Sequence, residues 1–262
     1  MRMEIRSIGR GAAPGATLAT VAMAAALPTV ALLTALLTAL LGPAPAAAQS
    51  AAALRFHDPM PLDRGTEIAL ARSAAPPSVS AGAAVLVLEA GRFVPAVEGT
   101  NGVTCYVARS VPGSLEPHCF DREGSATILP IHLRRAEMGY AGASAEEVDA
   151  EIARGLEEGR YRLPARPAMS YMLSSAQILY SDEGGRAGAW RPHLMIYQPG
   201  LTSADLGLPP EPGTPVFVVD EGTPESVILV VLDDFVEPDL AESDRVAIEA
   251  ASLEHDRRHA GT

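Results

Sequence analysis

Few residues in this chain carry chemistry. Cys105 and Cys119 are the only two cysteines, and His193 is the histidine set most deeply in an apolar segment, Pro-His-Leu-Met-Ile-Tyr. In an oxidising compartment an even pair of cysteines predicts a structural disulfide, and closing a loop of about 15 residues contributes about 3 kcal/mol in the chain-entropy picture. The competing chemistry is a thiolate nucleophile with a histidine base. His118 adjoins Cys119, but successive strand residues project from opposite faces, so the base for Cys105 or Cys119 would have to be His193. That arrangement defines a small secreted thiol hydrolase as the enzymatic alternative. A bonded cysteine pair cannot supply its nucleophile.

His193, Met195 and Tyr197 alternate with Leu194 and Ile196 and so share one face of a strand. Long loops flank that strand, and binding residues concentrate on loops held by a rigid scaffold. The expectation is therefore a binding surface formed by His193, Met195 and Tyr197, with the imidazole partly accessible and facing a concavity. A metal site of His118, Asp121 and His193 matches the two-histidine, one-carboxylate donor set, but spacing does not support it. His255 and His259 lie one helical turn apart beside Arg257 and Arg258, which fits a solvated C-terminal turn complementing the helix dipole. No GxSxG elbow, phosphate-binding GxxxxGK[ST], HExxH or CxxC is present. No metal and no cofactor is implied.

The compartment is read from the N-terminus. Arg2, Arg6 and Arg10 precede an apolar run over 17–41, and Ala46-Ala47-Ala48 stands before Gln49. A basic stretch, an apolar stretch and a small-x-small site are the parts of a secretory signal peptide, so 1–48 is expected to be cleaved. An uncleaved anchor is the alternative, because about 20 apolar residues span a bilayer; only then is a membrane a partner. Pro28, Pro43 and Pro45 favour cleavage. The expected location is periplasmic or extracellular. The net charge of the 262 residues is −12, and losing Arg2, Arg6, Arg10 and Glu4 with the leader makes it −14. Nucleic acid is excluded as a partner, because binding it requires clustered cations to neutralise phosphates. Every basic residue is an arginine, which removes Schiff-base chemistry and a lysine base.

The elements that must position these residues follow from periodicity. An N-terminal arm over 49–80 carries one short helix over 64–74, with Asp63 or Thr66 as its cap. Runs over 84–89, 93–97 and 103–108, separated by Ala90-Gly91 and Gly99-Thr100-Asn101-Gly102, read as an antiparallel meander. Leu129, Leu133, Ala136 and Tyr140 recur at helical spacing, with Pro130 in the first turn. A second helix begins at Ser144, which forms a capping box with Glu147 and carries the apolar stripe Val148, Ile152 and Leu156. Its acids, Glu146, Asp149, Glu151, Glu157 and Glu158, read as a solvated face. Gly155 costs that helix about 1 kcal/mol against alanine, and its last turn is expected to fray. Further strands are expected over 169–173, 193–197, 216–219 and 227–232. The last is continuously apolar, hence expected to be central and buried on both faces. The loops 181–189 and 198–215 are long for a compact domain. The tail over 238–258 reads as a helix.

Gly99-Thr-Asn-Gly-Val-Thr-Cys105, Glu116-Pro-His-Cys-Phe-Asp121, Tyr171-Met-Leu173, Pro192-His-Leu-Met195 and Gly222-Thr-Pro224 occur in that order. The ordered set resembles a family of exported bacterial proteins that share NGxxC, PxC, YML, PHxM and GxP blocks. The resemblance spans roughly 68–232. It implies export and a single domain, and it brings no catalytic residue to this chain. Some members of that family carry a second histidine three residues beyond the last block, where this chain has Val227.

Together these readings predict a single α+β domain over 81–236, built on a mainly antiparallel sheet with a helical-hairpin insertion and followed by a C-terminal helix and tail over 237–262. The functional expectation is an exported envelope or secreted protein, a non-catalytic binding or structural module whose partner is a small molecule or an envelope component.

Overall fold

The architecture is that of a computed structural model, which describes residues 58–111, 113–179, 191–207 and 214–259. The expected leader 1–48, most of the arm before Pro59, the loop 181–189 and the middle of the loop 198–215 lie outside the described residues. The described residues form an α+β domain: six helices and one eight-stranded, mostly antiparallel sheet.

Helix α1 (Arg64–Arg72) starts where Asp63 accepts a hydrogen bond from the Thr66 amide, 3.0 Å. A carboxylate at this position satisfies one of the amides that a helix N-terminus leaves unpaired. Pro77 opens the short helix α2 (Pro77–Ser80) and leads into β1 (Ala84–Glu89). Ala90 and Gly91 both adopt positive φ, 50° and 76°. That geometry suits a two-residue hairpin, and β1 turns back into β2 (Arg92–Val97).

The expected meander is corrected at the next strand. Instead of extending beyond β2, β3 (Thr104–Ala108) crosses to the other edge of β1 and pairs with it in parallel. The crossing segment folds over the start of β1, where the Thr100 amide donates to Gly82 O and Asn101 Nδ2 donates to Val79 O, each 2.8 Å. A side chain at Gly99 would place its Cβ 2.4 Å from the Ala84 nitrogen, so only glycine permits that close passage. Strand β4 (Glu116–Phe120) then pairs antiparallel with β3, placing Cys105 directly opposite Cys119.

Asp121 caps helix α3 (Arg122–Ala126) by accepting from the Gly124 amide, 2.7 Å. Helix α4 (Ile128–Tyr140) follows with Pro130 in its first turn, and α5 (Ala145–Glu157) begins at the expected Ser144–Glu147 capping box. Glu151 is not solvated: its carboxylate is buried and pairs with Arg134, Arg154 and Arg160. Nor is Gly155 merely a weak point. The Tyr161 ring occupies its bare face, with Cδ2 2.2 Å from where a Cβ would stand.

The remaining strands are β5 (Ala168–Met172), β6 (His193–Tyr197), β7 (Val216–Val219) and β8 (Val227–Val231), and the sheet order is β2-β1-β3-β4-β5-β6-β8-β7. Strand β8 is therefore next to the edge rather than central. Val227 and Leu229 are buried while Ile228 and Val230 on its other face are half-buried, because the described helices pack mainly on the β1–β5 part of the sheet. Helix α6 (Glu242–His259) closes the chain and buries Ile248.

Alternation divides the core in two. One face of the sheet carries Val85, Cys105, Val107 and Cys119 and packs against Leu70 and Ala71 of α1. The other carries Tyr106, Phe120, Ala168 and Tyr197 and packs against Ile128 and Leu129 of α4. Burial of this kind contributes about 25 cal/mol per Å² of apolar surface.

Candidate functional site

The two cysteines are bonded to each other and fully buried on the α1 face. Register separates them from His193. Cys105 lies opposite Cys119, Cys119 opposite Tyr171, and Tyr171 opposite Leu194, whereas His193 lies opposite Met172. Thiol and imidazole thus leave opposite faces of the sheet, and the base expected for a thiol nucleophile does not reach it.

His193, Met195 and Tyr197 do share a face, and the Tyr197 hydroxyl donates to Met195 Sδ at 3.7 Å. The accessible imidazole expected from sequence is corrected: His193 is only 3% exposed. Its Nδ1 donates to the Arg191 carbonyl, 2.9 Å, and burial lowers its pKa. Strand pairing on both sides of β6, with β5 and β8, encloses a residue that a neighbouring proline had suggested lay at a loose strand end.

Two further histidines stand on this face. His118 is buried, its Nδ1 hydrogen-bonded to Ser170 Oγ at 3.0 Å. Its ring stacks on Tyr106 and Phe120, with centroids 5.5 and 5.7 Å away. His132, from α4, meets His118 edge-on at 6.3 Å and also contacts Phe120 and Tyr197. Burial holds His118 well below its ordinary pKa, with repulsion from His132 and His193 adding to it. Burial likewise pushes His132 down to about 4, opposed by Glu225 and reinforced by Arg135. Both rings are neutral at pH 7, in which form an imidazole can accept a proton or bind a metal.

The supporting charges are already engaged. Glu225 pairs with Arg135 at 2.7 Å, and Glu116 accepts from the Ser110 amide at 3.1 Å. Asp121, proposed as a carboxylate ligand beside His118 and His193, instead accepts from the Gly124 and Met169 amides. Among the described residues no group of three histidine, cysteine or acidic side chains is arranged to hold a metal.

Sequence reasoning missed Ser170 and His132. His132 was visible in principle, since it lies between Leu129 and Leu133 in the apolar stripe of α4. His255 is corrected too: it is buried and donates from Nε2 to the Asp58 carbonyl, 2.6 Å, instead of standing in a solvated turn. The side chain of His259 lies outside the described residues. Val227 lies opposite Tyr197, not His193, so a histidine at that position would not form a directly opposed pair with His193.

Comparison with protein-family models, curated proteins and solved structures finds no match to this chain.

Proposed function

We propose that the chain is an exported envelope or secreted protein that works as a non-catalytic binding module, and that β6 and its flanking loops form its binding surface. The bonded, fully buried Cys105–Cys119 pair carries this reading. Such pairs persist in oxidising compartments and are rare where thiols are kept reduced. Among the described residues no helix is long and apolar enough to cross a membrane. With His193 turned into the core, the contact face of β6 is the opposite one. There Leu194 and Ile196 lie beside Val230 and Ile228 of β8, all half-buried, and this row suits an apolar small molecule or the apolar part of an envelope component.

Cell fractionation with N-terminal sequencing and thiol alkylation tests the reading. The expected product begins at Gln49, sits outside the cytoplasm and labels with alkylating reagent only after reduction in denaturant. Cytoplasmic protein with two labelled thiols in the native state would overturn it.

A further inference from the structure

Three imidazoles occupy one side of the sheet beneath or beside a single helix. Register places His118 and His193 on the two sides of Met172, and His132 descends from α4 onto His118, Phe120 and Tyr197. We propose that His118 and His132, with His193 beside them, form an acid-operated latch that holds α4 on the sheet near neutral pH and releases it when a proton enters the cluster.

The surroundings explain why a proton would be disruptive. The charged groups acting on the pair directly are His193 from β6, Arg135 from α4 and Glu225 from the turn into β8, and the rings beside the pair, Tyr106 from β3 and Tyr197 from β6, are in turn reached by Glu116 from β4, Tyr140 from α4 and Asp220 from the turn into β8. Strand β5 offers Ser170 and Met172, and β2 offers Phe93; none of these titrates. Glu225 is held by Arg135 and Glu116 by Ser110, while Asp220 lies exposed on its turn. Tyrosines cannot offer a counter-charge, because burial raises the pKa values of Tyr106, Tyr140 and Tyr197 and keeps them neutral. A proton arriving on His118 therefore creates a buried cation, and one arriving on the half-buried His132 a partly desolvated one, and among the described residues no unengaged carboxylate stands beside either.

The direction of the pH effect follows from linkage. Each imidazole lies below 6.5 in the fold and returns to about that value once α4 lifts and water enters, so the open state binds the proton first. The closed arrangement is fully favoured above pH 6.5. It loses ground as pH falls toward 4. At pH 5 an imidazole held at about 4 when closed and 6.5 when open favours opening about 30-fold. Aspartates and glutamates protonate mostly below that pH, so the interval from 7.5 to 5 isolates the histidines.

The test uses the full oxidised chain. Imidazole resonances of the parent protein are followed by NMR from pH 7.5 to 5, and melting is compared across the same interval for the parent, His118→Phe/His132→Phe and His255→Gln. The expected result is that His118 and His132 stay neutral in the closed state, and that the parent and His255→Gln lose melting temperature on acidification while the double variant loses much less. Ordinary titration of both rings near 6.5 in the closed protein, or an undiminished pH dependence in the double variant, would overturn the latch. If the double variant does not fold, the parent's imidazole titration decides alone.

Discussion

The two faces of the sheet are built from different materials. On the α1 face the reactive groups are paired with one another: Cys105 is bonded to Cys119, and the Arg109 guanidinium meets the Glu67 carboxylate at 2.8 Å with both side chains buried. Arg109 also donates to the Met60 and Val107 carbonyls, and Glu67 accepts from the Leu88 amide. On the α4 face neutral imidazoles and hydroxyls are set among aromatic rings, with the buried Glu116 and the Arg135–Glu225 pair at their margin. One face is closed by a covalent bond and a compensated charge pair. The other depends on protons staying away, which makes it the face that solution conditions can open.

Substitutions sharpen the contrast. The largest effect is expected from Glu67→Ala, which leaves the Arg109 cation buried and unpaired and should cost about 3–5 kcal/mol in chemical denaturation. Replacing both partners, as Glu67→Met with Arg109→Met, should recover most of that loss, because removing a buried pair together is far cheaper than breaking it. A double variant as unstable as the single one would show that packing, not charge, sets the cost. Cys105→Ser comes next at about 3 kcal/mol, read from the same curves, through the loop closed between β3 and β4.

On the α4 face, His193→Ala should cost about 1–3 kcal/mol by removing the buried bond to the Arg191 carbonyl. A melting temperature equal to that of the parent would return His193 to the role of an accessible pocket residue. The smallest effect is expected from Gly155→Ala. A new Cβ displaces the Tyr161 ring, which should offset the gain of about 1 kcal/mol that alanine brings to a helix interior and leave the variant no more stable than the parent. A clear stabilisation in thermal melts would show that the ring moves aside freely.

Local signals made much of the fold legible. The cap at Asp63, the Ser144–Glu147 box and the strands β6 and β7 stand where residue type and period put them. Non-local relations were not legible. Nothing in the spacing of β1, β2 and β3 says that Gly99 lets the chain cross to the far edge of β1, and nothing in the apolar run of β8 says that so few of the described helices pack against it. The disulfide followed from counting cysteines. The histidine cluster did not, because His118, His132 and His193 come from β4, α4 and β6 and meet only through sheet register. Burial of His193 escaped for a related reason: a preceding proline speaks of one strand end, while its enclosure is set by β5 and β8.

Acid is expected to open one face of the sheet and spare the other. Hydrogen exchange of the full oxidised chain at pH 7.5 and 5, with rates corrected for the intrinsic effect of pH, tests it within a single molecule. Protection of Ile128–Tyr140 is expected to fall at least 10-fold at pH 5, roughly the shift set by one imidazole, while Arg64–Arg72 keeps its protection. Equal change in the two helices, or no change in either, would contradict it.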